Sequence, residues 1–190
     1  MAAVEDEVDQ LVVAPEDEVD PLIVAPEDEV DQLVAAWRRE RPDLDVEPMH
    51  VLSRVTRLAR HLDLARKSAF TEHGLESWEF DVLTALRRSG DPYTLSPGRL
   101  LRETMVTSGT MTNRVDRLAA KGFVERLPDP ADRRGVFVRL TRTGRTRVDA
   151  ALEALLAQER TLLAGLTADQ RYELSTLLRT VVAPFDRYNR

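Results

Sequence analysis

The sequence predicts a mainly α-helical fold of the α+β class, on the basis of three observations. Apolar residues recur at spacings of three and four along most of the chain after residue 46, as in amphipathic helices. Two short stretches, Phe123–Leu127 and Val136–Leu140, instead alternate apolar and polar residues, as strands do. Between them lies a polar turn, 128–135, that carries Arg133 and Arg134. The chain therefore combines several helices with one two-stranded hairpin whose tip is basic.

The charges are distributed unevenly along the chain. Its 190 residues include 27 basic and 33 acidic side chains, a net charge of −6. Residues 1–36 contain twelve acids and no base, which leaves 27 basic and 21 acidic residues in 37–190, a net charge of +6. The body of the protein is thus basic and suited to an anionic partner, whereas the N-terminal arm is strongly acidic.

Patterns typical of enzymes and metal sites are absent from the sequence. There is no cysteine, and the three histidines, His50, His61 and His73, are scattered. We find no nucleophile with a base and no glycine-rich phosphate loop, so we predict a non-enzymatic protein without cofactor or metal. The sequence contains no run of 18 apolar residues, which a membrane-spanning helix would need. We therefore expect a soluble cytoplasmic protein.

The N-terminus repeats an 11-residue unit three times, at Glu5–Pro15, Glu16–Pro26 and Glu27–Trp37. Prolines prevent one continuous helix, although Pro15 and Pro26 would suit the first position of a new one. We expect only the third copy to be firmly folded, as a helix to about residue 41. Its apolar stripe would dock through Trp37 and contains Val30, Leu33, Val34 and Trp37.

Local signals place the remaining helices. A long helix is predicted from Pro48 to about Glu72, and a second from Trp78 to Ser89. A short helix follows Ser96, another starts near Ser108, one runs from Thr141 to about Leu163, and the last begins after Thr167. Side chains that can accept a backbone N–H at the start of a helix support four of these starts, at Ser77, Ser96, Thr141 and Thr167.

The helix that starts near Ser108 is predicted to be the second helix of a helix-turn-helix, with residues 105–107 as the turn. Met111, Val115 and Leu118 share one apolar face, and Lys121-Gly122 ends the helix. Such a pair followed by a hairpin with a basic tip is the anatomy of a winged helix. In a winged helix the second helix enters a groove of DNA and the wing lies beside it.

The face opposite the apolar one would contact DNA. A rotation of 100° per residue directs Thr110, Asn113 and Arg117 outward and puts Arg114 on the flank. Arginine, asparagine and hydroxyl groups suit base edges, and the helix start at Thr107 and Ser108 suits a phosphate. For Arg133, at the wing tip, we expect contact with the DNA backbone rather than base reading. The alternative for Arg114 and Arg117 is a solvated face on which they pair with Asp116 and Glu125.

The two C-terminal helices are more apolar than one small core requires, so we expect them to be buried against a second copy of the chain. Their apolar residues are Leu152, Leu155, Leu156, Leu162, Leu174, Leu177, Leu178 and Val181. The predicted organisation has four parts: a flexible acidic arm (1–26), an extra helix with the first dimerisation helix (27–74), a winged helix-turn-helix DNA-binding domain (75–141) and C-terminal dimerisation helices (142–190).

The order of these elements, together with the wing sequence DPADRRGVFVRLT at Asp129–Thr141, resembles the MarR (multiple antibiotic resistance regulator) family over about Asp31–Val182. The resemblance implies a homodimer that binds a palindromic double-stranded DNA operator and represses transcription until a small ligand weakens binding. It also implies that Asp132 orients the wing arginine and that Arg134 enters the minor groove.

Trp37 and Asp81 resemble positions of the urate-responsive branch of that family, where a tryptophan and an aspartate mark a ligand site. An aromatic wall with a carboxylate would suit a small aromatic ligand. The alternative, which we favour, is structural: Trp37 anchors the extra helix to the core, and Asp81 pairs with an arginine such as Arg114.

Two further hypotheses concern the acidic repeats. The protein could be a protein–protein interaction module in which the repeats recruit a basic partner, rather than a DNA-binding regulator. Within a regulator, the repeats could cover the basic DNA-facing helix or serve only as a flexible, solubilising spacer, and salt screening favours the spacer.

Overall fold

The computed structural model of the protein describes residues 26–128 and 135–186. Most of the acidic arm (1–25) and the wing tip with Asp132, Arg133 and Arg134 lie outside these residues. The described residues fall into two compact units, which are divided between Arg54 and Val55.

The first unit contains helix α1 (Glu29–Glu40), which is the third copy of the repeat. The Asp28 carboxylate accepts the Val30 and Asp31 N–H groups at 2.8 and 3.2 Å, and the Asp31 carboxylate accepts the Asp28 N–H at 3.0 Å. This reciprocal capping box fixes the start of the helix. The prediction that Pro26 occupies the first helical position was therefore wrong, because Asp28 is the cap.

Two valines hold α1 in its unit. Val30 and Val34 are buried with Val46, and Met49 packs against them. Trp37, by contrast, is 44% exposed. The prediction that this helix docks through its tryptophan was wrong, because the two smaller members of the stripe are the ones that turn inward.

The Arg54 side chain joins the start of α1 to the next helix. Its guanidinium donates from Nε and Nη2 to the two Asp28 oxygens, both at 2.9 Å, and Nη2 lies 2.8 Å from Asp31 Oδ1. Hydrogen bonds from Arg54 are the largest cause that lowers the pKa of Asp28 and of Asp31 below their ordinary value. The capping box therefore stays ionised at neutral pH.

Helix α2 (Met49–Glu72) confirms the predicted long helix. Its last turn is buried, at Ala69 and Phe70, whereas Val55, Leu58 and Leu64 are large apolar residues exposed to solvent. A helix buried only at one end presents the rest of its apolar side for another contact.

The second unit continues with α3 (Ser77–Arg88), β1 (Thr94–Leu95), α4 (Pro97–Thr104), α5 (Ser108–Ala120), β2 (Val124–Pro128), β3 (Val136–Leu140), α6 (Arg142–Leu162) and α7 (Ala168–Asp186). The starts of these helices and the bounds of β2 and β3 agree with the predicted elements to within about one residue. One start differs: the cap position of α3 is Glu76 rather than Ser77, and its N–H donates to Glu79.

The sheet has three antiparallel strands in the order β1-β3-β2. The predicted hairpin is β2–β3, in which Val124 is opposite Leu140 and Arg126 is opposite Val138. Strand β1, which follows α3, is the third strand and pairs with β3, with Thr94 opposite Arg139. The second strand of the hairpin is thus the central strand of the sheet.

One continuous apolar cluster joins the helices and the sheet of the second unit. The Phe70 and Phe80 rings stack with centroids 4.0 Å apart. The cluster includes Leu83, Leu86, Leu100, Met111, Val115, Leu118, Val138, Leu140, Val148 and Leu155. All elements that carry the helix-turn-helix therefore share one core.

A close backbone contact fixes α6 to the segment after α5. The Thr141 hydroxyl accepts the Gly144 N–H at 3.0 Å and donates to the carbonyl oxygens of Gly122 and Phe123. Gly144 is buried against Phe123, and a Cβ at this position would overlap the Phe123 carbonyl oxygen. Only glycine fits at position 144 without a shift of the backbone.

The last helix, α7, begins with the predicted capping box: the Thr167 N–H donates to Gln170 at 2.9 Å, and the Gln170 N–H donates back at 3.2 Å. Leu177, Val181 and Phe185 on α7 are exposed. Among residues 26–128 and 135–186, no helix has both the length and the apolar character needed to cross a membrane.

We expect Gly144→Ala to lower the free energy of unfolding by at least about 2 kcal/mol, because the new methyl group cannot fit without moving backbone. Gly98→Ala is the matched control: Gly98 is also helical and nothing lies within 4 Å of its added Cβ. That variant should be neutral or more stable by up to about 1 kcal/mol. Urea unfolding of both variants tests this, and equal stabilities would contradict the contact.

Candidate nucleic-acid interface

Helix α5 has one buried face and one exposed face. Met111, Val115 and Leu118 are buried in the core, as the sequence predicts. On the opposite side, Thr110, Asn113 and Arg117 are exposed and Arg114 is half-buried. These four side chains line one groove of about 490 Å³ together with Gly109 and Trp78. The structure therefore brings together the four predicted DNA-facing residues of this helix.

The start of α5 is open. Thr107 occupies the cap position, but its side chain accepts no backbone N–H. Its hydroxyl lies 2.9 Å from the Thr110 hydroxyl instead. Thr107 and Ser108 are exposed, so hydroxyl groups and first-turn N–H groups face solvent at the positive end of the helix. Thr107 gives this helix no side-chain cap, and the arrangement suits an anion.

Trp78, on α3, forms a platform beneath both arginines. The Cζ atom of Arg117 lies 4.7 Å from the centroid of the indole, and that of Arg114 lies 5.4 Å from it. Cations at this distance from a tryptophan face are attracted by the negative charge of the ring face. The indole thus fixes two neighbouring positive charges on the flank of α5.

The alternative pairing of these arginines with Asp116 and Glu125 was wrong. Asp116 pairs with Arg126 at 2.6 Å, and Glu125 pairs with Arg139 at 2.8 Å. The partner of Arg117 is Glu76, whose Oε1 accepts from Nη2 at 2.7 Å.

The carboxylate of Glu76 holds the tryptophan as well as the arginine. Its Oε2 accepts the indole N–H of Trp78 at 2.7 Å, while Oε1 accepts from Arg117. The hydrogen bond from Trp78 and the charge of Arg117 hold the pKa of Glu76 below its ordinary value. Glu76 is therefore ionised at neutral pH, and its charge lies at the edge of the basic groove.

Glu79 connects α3 to the end of α5. It is 0% exposed, its Oε2 accepts the Glu76 N–H, and its Oε1 lies 2.6 Å from Lys121 Nζ. The Lys121 contact is one of charge, since its direction does not favour a hydrogen bond. The first turn of α3 thus contacts α5 at three residues on one side: Arg114, Arg117 and Lys121.

Sequence reasoning missed Glu76, Trp78 and Glu79. Glu76 and Arg117 are 41 residues apart, and no periodicity relates the start of one helix to the side of another. The sequence reveals only that an aromatic residue and two acids occur in the first turn of a helix. That pattern is common where acids stabilise a helix start.

The two residues of the predicted ligand site, Trp37 and Asp81, belong to different units. Asp81 pairs with Arg66 of α2 at 4.0 Å, so the predicted partner Arg114 was wrong. Trp37 is on α1, where its ring is partly exposed. The ligand site remains a prediction.

The three wing residues Asp132, Arg133 and Arg134 fall between β2 and β3, outside the described residues. Their DNA contacts remain predictions. Across the two described ranges, no three His, Cys, Asp or Glu side chains form a group that could hold a metal ion.

A helix-turn-helix followed by an antiparallel hairpin defines the winged helix-turn-helix class. Residues 73–135 match the MarR family. The chain is 38% identical over 145 residues to the transcriptional regulator PecS of Dickeya dadantii, which covers 76% of this chain and 87% of PecS. The chain belongs to the MarR family.

Two further relatives extend the comparison. The transcriptional repressor NicR of Pseudomonas putida is 32% identical over 143 residues, 73% of this chain and 89% of NicR. The crystal structure of a mutant MarR from E. coli complexed with operator DNA superposes with a TM-score of 0.55 at 28% identity, covering 73% of this chain and 99% of that one.

Glu79→Ala should lower the free energy of unfolding by about 2 to 3 kcal/mol, because it leaves a hole, removes the acceptor of the Glu76 N–H and removes the negative charge beside Lys121. Glu125→Ala is the control, since it breaks an exposed ion pair and should cost less than about 1 kcal/mol. The comparison uses urea unfolding at neutral pH. Similar losses in the two variants would show that Glu79 contributes no more than a surface charge.

Proposed function

We propose that the protein is a homodimeric, sequence-specific double-stranded DNA-binding transcriptional regulator that acts as a repressor in the cytoplasm. The observation that carries the proposal is the exposed face of α5, where Thr110, Asn113 and Arg117 project from a helix whose other face is buried. A rigid helix with these side chains suits the major groove. The operator complex of E. coli MarR and the name of NicR support this proposal.

The roles within the interface follow from side-chain chemistry. Arg117 suits a guanine edge and Asn113 an adenine edge, while Thr110 suits either. Thr107 and Ser108, at the open start of α5, would bind a phosphate, and Arg114 would bind the backbone beside it. We further propose that Asp132 orients Arg134 for the minor groove and that Arg133 contacts phosphates.

Exposed apolar residues on the C-terminal helices favour the proposed homodimer. In the second unit, Leu156 and Leu162 on α6 and Leu177 and Val181 on α7 face solvent in the single chain. Residues 27–74 and 142–190 would form the dimer interface and residues 75–141 the DNA-binding domain, with residues 1–26 as an acidic arm. A two-fold dimer would place its two α5 helices about 34 to 36 Å apart, one turn of DNA, and would bind a palindrome.

The proposed function predicts that the full chain protects a palindromic site in the DNA upstream of its own coding region. With six or more phosphate contacts, the affinity should fall about 10³-fold or more between about 50 and 200 mM salt. Footprinting and anisotropy titrations measure both properties. A weak or salt-independent interaction would favour the alternative, in which the acidic repeats recruit a basic protein.

Relief of binding by a small aromatic ligand at Trp37 and Asp81 is part of the proposal, based on the resemblance to the urate-responsive branch. Urate and simple phenolic acids, titrated into the preformed operator complex, should release the DNA. Asp81→Asn should raise the ligand concentration needed about tenfold or more, since a charge-assisted contact is lost. If the operator complexes stay intact at millimolar ligand, the proposed relief of DNA binding by an aromatic ligand is wrong.

A further inference from the structure

We infer that Glu76 is a specificity-determining residue: it holds Arg117 against Trp78, so that Arg117 contacts DNA only where the bases compensate for its lost ion pair. The inference rests on the proposed function, because it assigns a role within the same DNA-facing groove. Glu76 does not itself contact a base. It acts through Arg117 and is a positioning residue.

The geometry of the groove carries this inference. One carboxylate accepts both the Trp78 indole N–H and the Arg117 guanidinium, each at 2.7 Å. The indole bond fixes the direction of the carboxylate, and the ring face supports the guanidinium from the side. Arg117 and Glu76 keep 49% and 52% of their side chains exposed, so the pair lies at the surface where DNA would approach.

Arg114 provides the contrast on the same ring. Its guanidinium also lies over Trp78, but no carboxylate of the described residues forms an ion pair with it. Its charge is therefore available to any phosphate, whatever the sequence. Within residues 26–128 and 135–186, these two arginines are thus held differently: Arg114 lies over the ring, whereas Arg117 lies over the ring and also pairs with a carboxylate.

The magnitudes favour an effect on specificity. An exposed ion pair changes an equilibrium constant by up to about fivefold, enough to disfavour a single phosphate contact. A bidentate contact between arginine and guanine discriminates by about tenfold to a hundredfold. Arg117 would therefore leave Glu76 for the correct base pair and stay with it on other DNA, while the negative charge of Glu76 repels phosphates.

The substitution Glu76→Gln separates this role from a structural one. Glutamine keeps the length of the side chain and an oxygen that can accept the Trp78 N–H, but removes the charge that holds Arg117. The affinity of the full chain is measured for the footprinted fragment and for a shuffled duplex of equal length, at one salt concentration. Glu125→Gln, which releases Arg139 from a similarly exposed pair, is the matched control.

We expect Glu76→Gln to raise the affinity for shuffled DNA about twofold to fivefold and to raise the affinity for the footprinted fragment by a smaller factor. The specificity ratio, which is the affinity for the footprinted fragment divided by that for shuffled DNA, should therefore fall. In an Arg117→Ala background the same substitution should leave the ratio unchanged, because the residue that it releases is gone. Glu125→Gln should also leave it unchanged. This pattern in the double-mutant cycle would support the inference.

An unchanged ratio in Glu76→Gln would overturn the inference, and so would an equal fall in the Arg117→Ala background or in Glu125→Gln, which would indicate a general charge effect. The proposed function fails separately. It fails if the wild-type chain binds neither duplex with steep salt dependence, and the role of Glu76 then fails with it. Steep binding with an unchanged ratio would leave the regulator intact and remove only the role of Glu76.

Discussion

The burial of Met111, Val115 and Leu118 is the constraint on which the functional surface depends. These three residues occupy one face of α5 and pack in the core with Leu86, Leu100 and Val138. Because a helix turns by 100° per residue, fixing one face fixes the direction of every other side chain. The exposed groove with Asn113 and Arg117 is thus a consequence of core packing. A rotation of the helix would expose apolar surface.

Contacts at the flank of the helix refine what the core determines. The core fixes the backbone of α5, but long arginine side chains can still point in several directions. Trp78 and Glu76 restrict them by stacking and by charge, and Glu79 anchors the end of the helix at Lys121. The first turn of α3 therefore serves two purposes: it starts a core helix, and it orders cations on its neighbour.

Local signals in the sequence were sufficient for most of the fold and failed where partners come from distant segments. The spacing of apolar residues in α5 and the capping residues Ser96 and Thr141 act within one helical turn, so the sequence contains them completely. The partner of Arg117 depends on how α3 crosses α5, which no local pattern encodes. Trp37 shows a related limit, because an apolar stripe does not reveal which of its members turn inward.

The most direct test of whether the α5 groove contacts DNA is the fluorescence of Trp78, which lies in that groove. The chain has two tryptophans, so Trp37→Phe leaves Trp78 as the single emitter. Titration with the footprinted duplex should change its emission saturably and reduce its quenching by acrylamide, with both effects reversed by high salt. The contradicting result has two parts: the Trp37→Phe variant binds labelled DNA with the same anisotropy titration curve as the wild type, while the emission and the quenching of Trp78 stay constant. The DNA-contacting surface would then lie elsewhere.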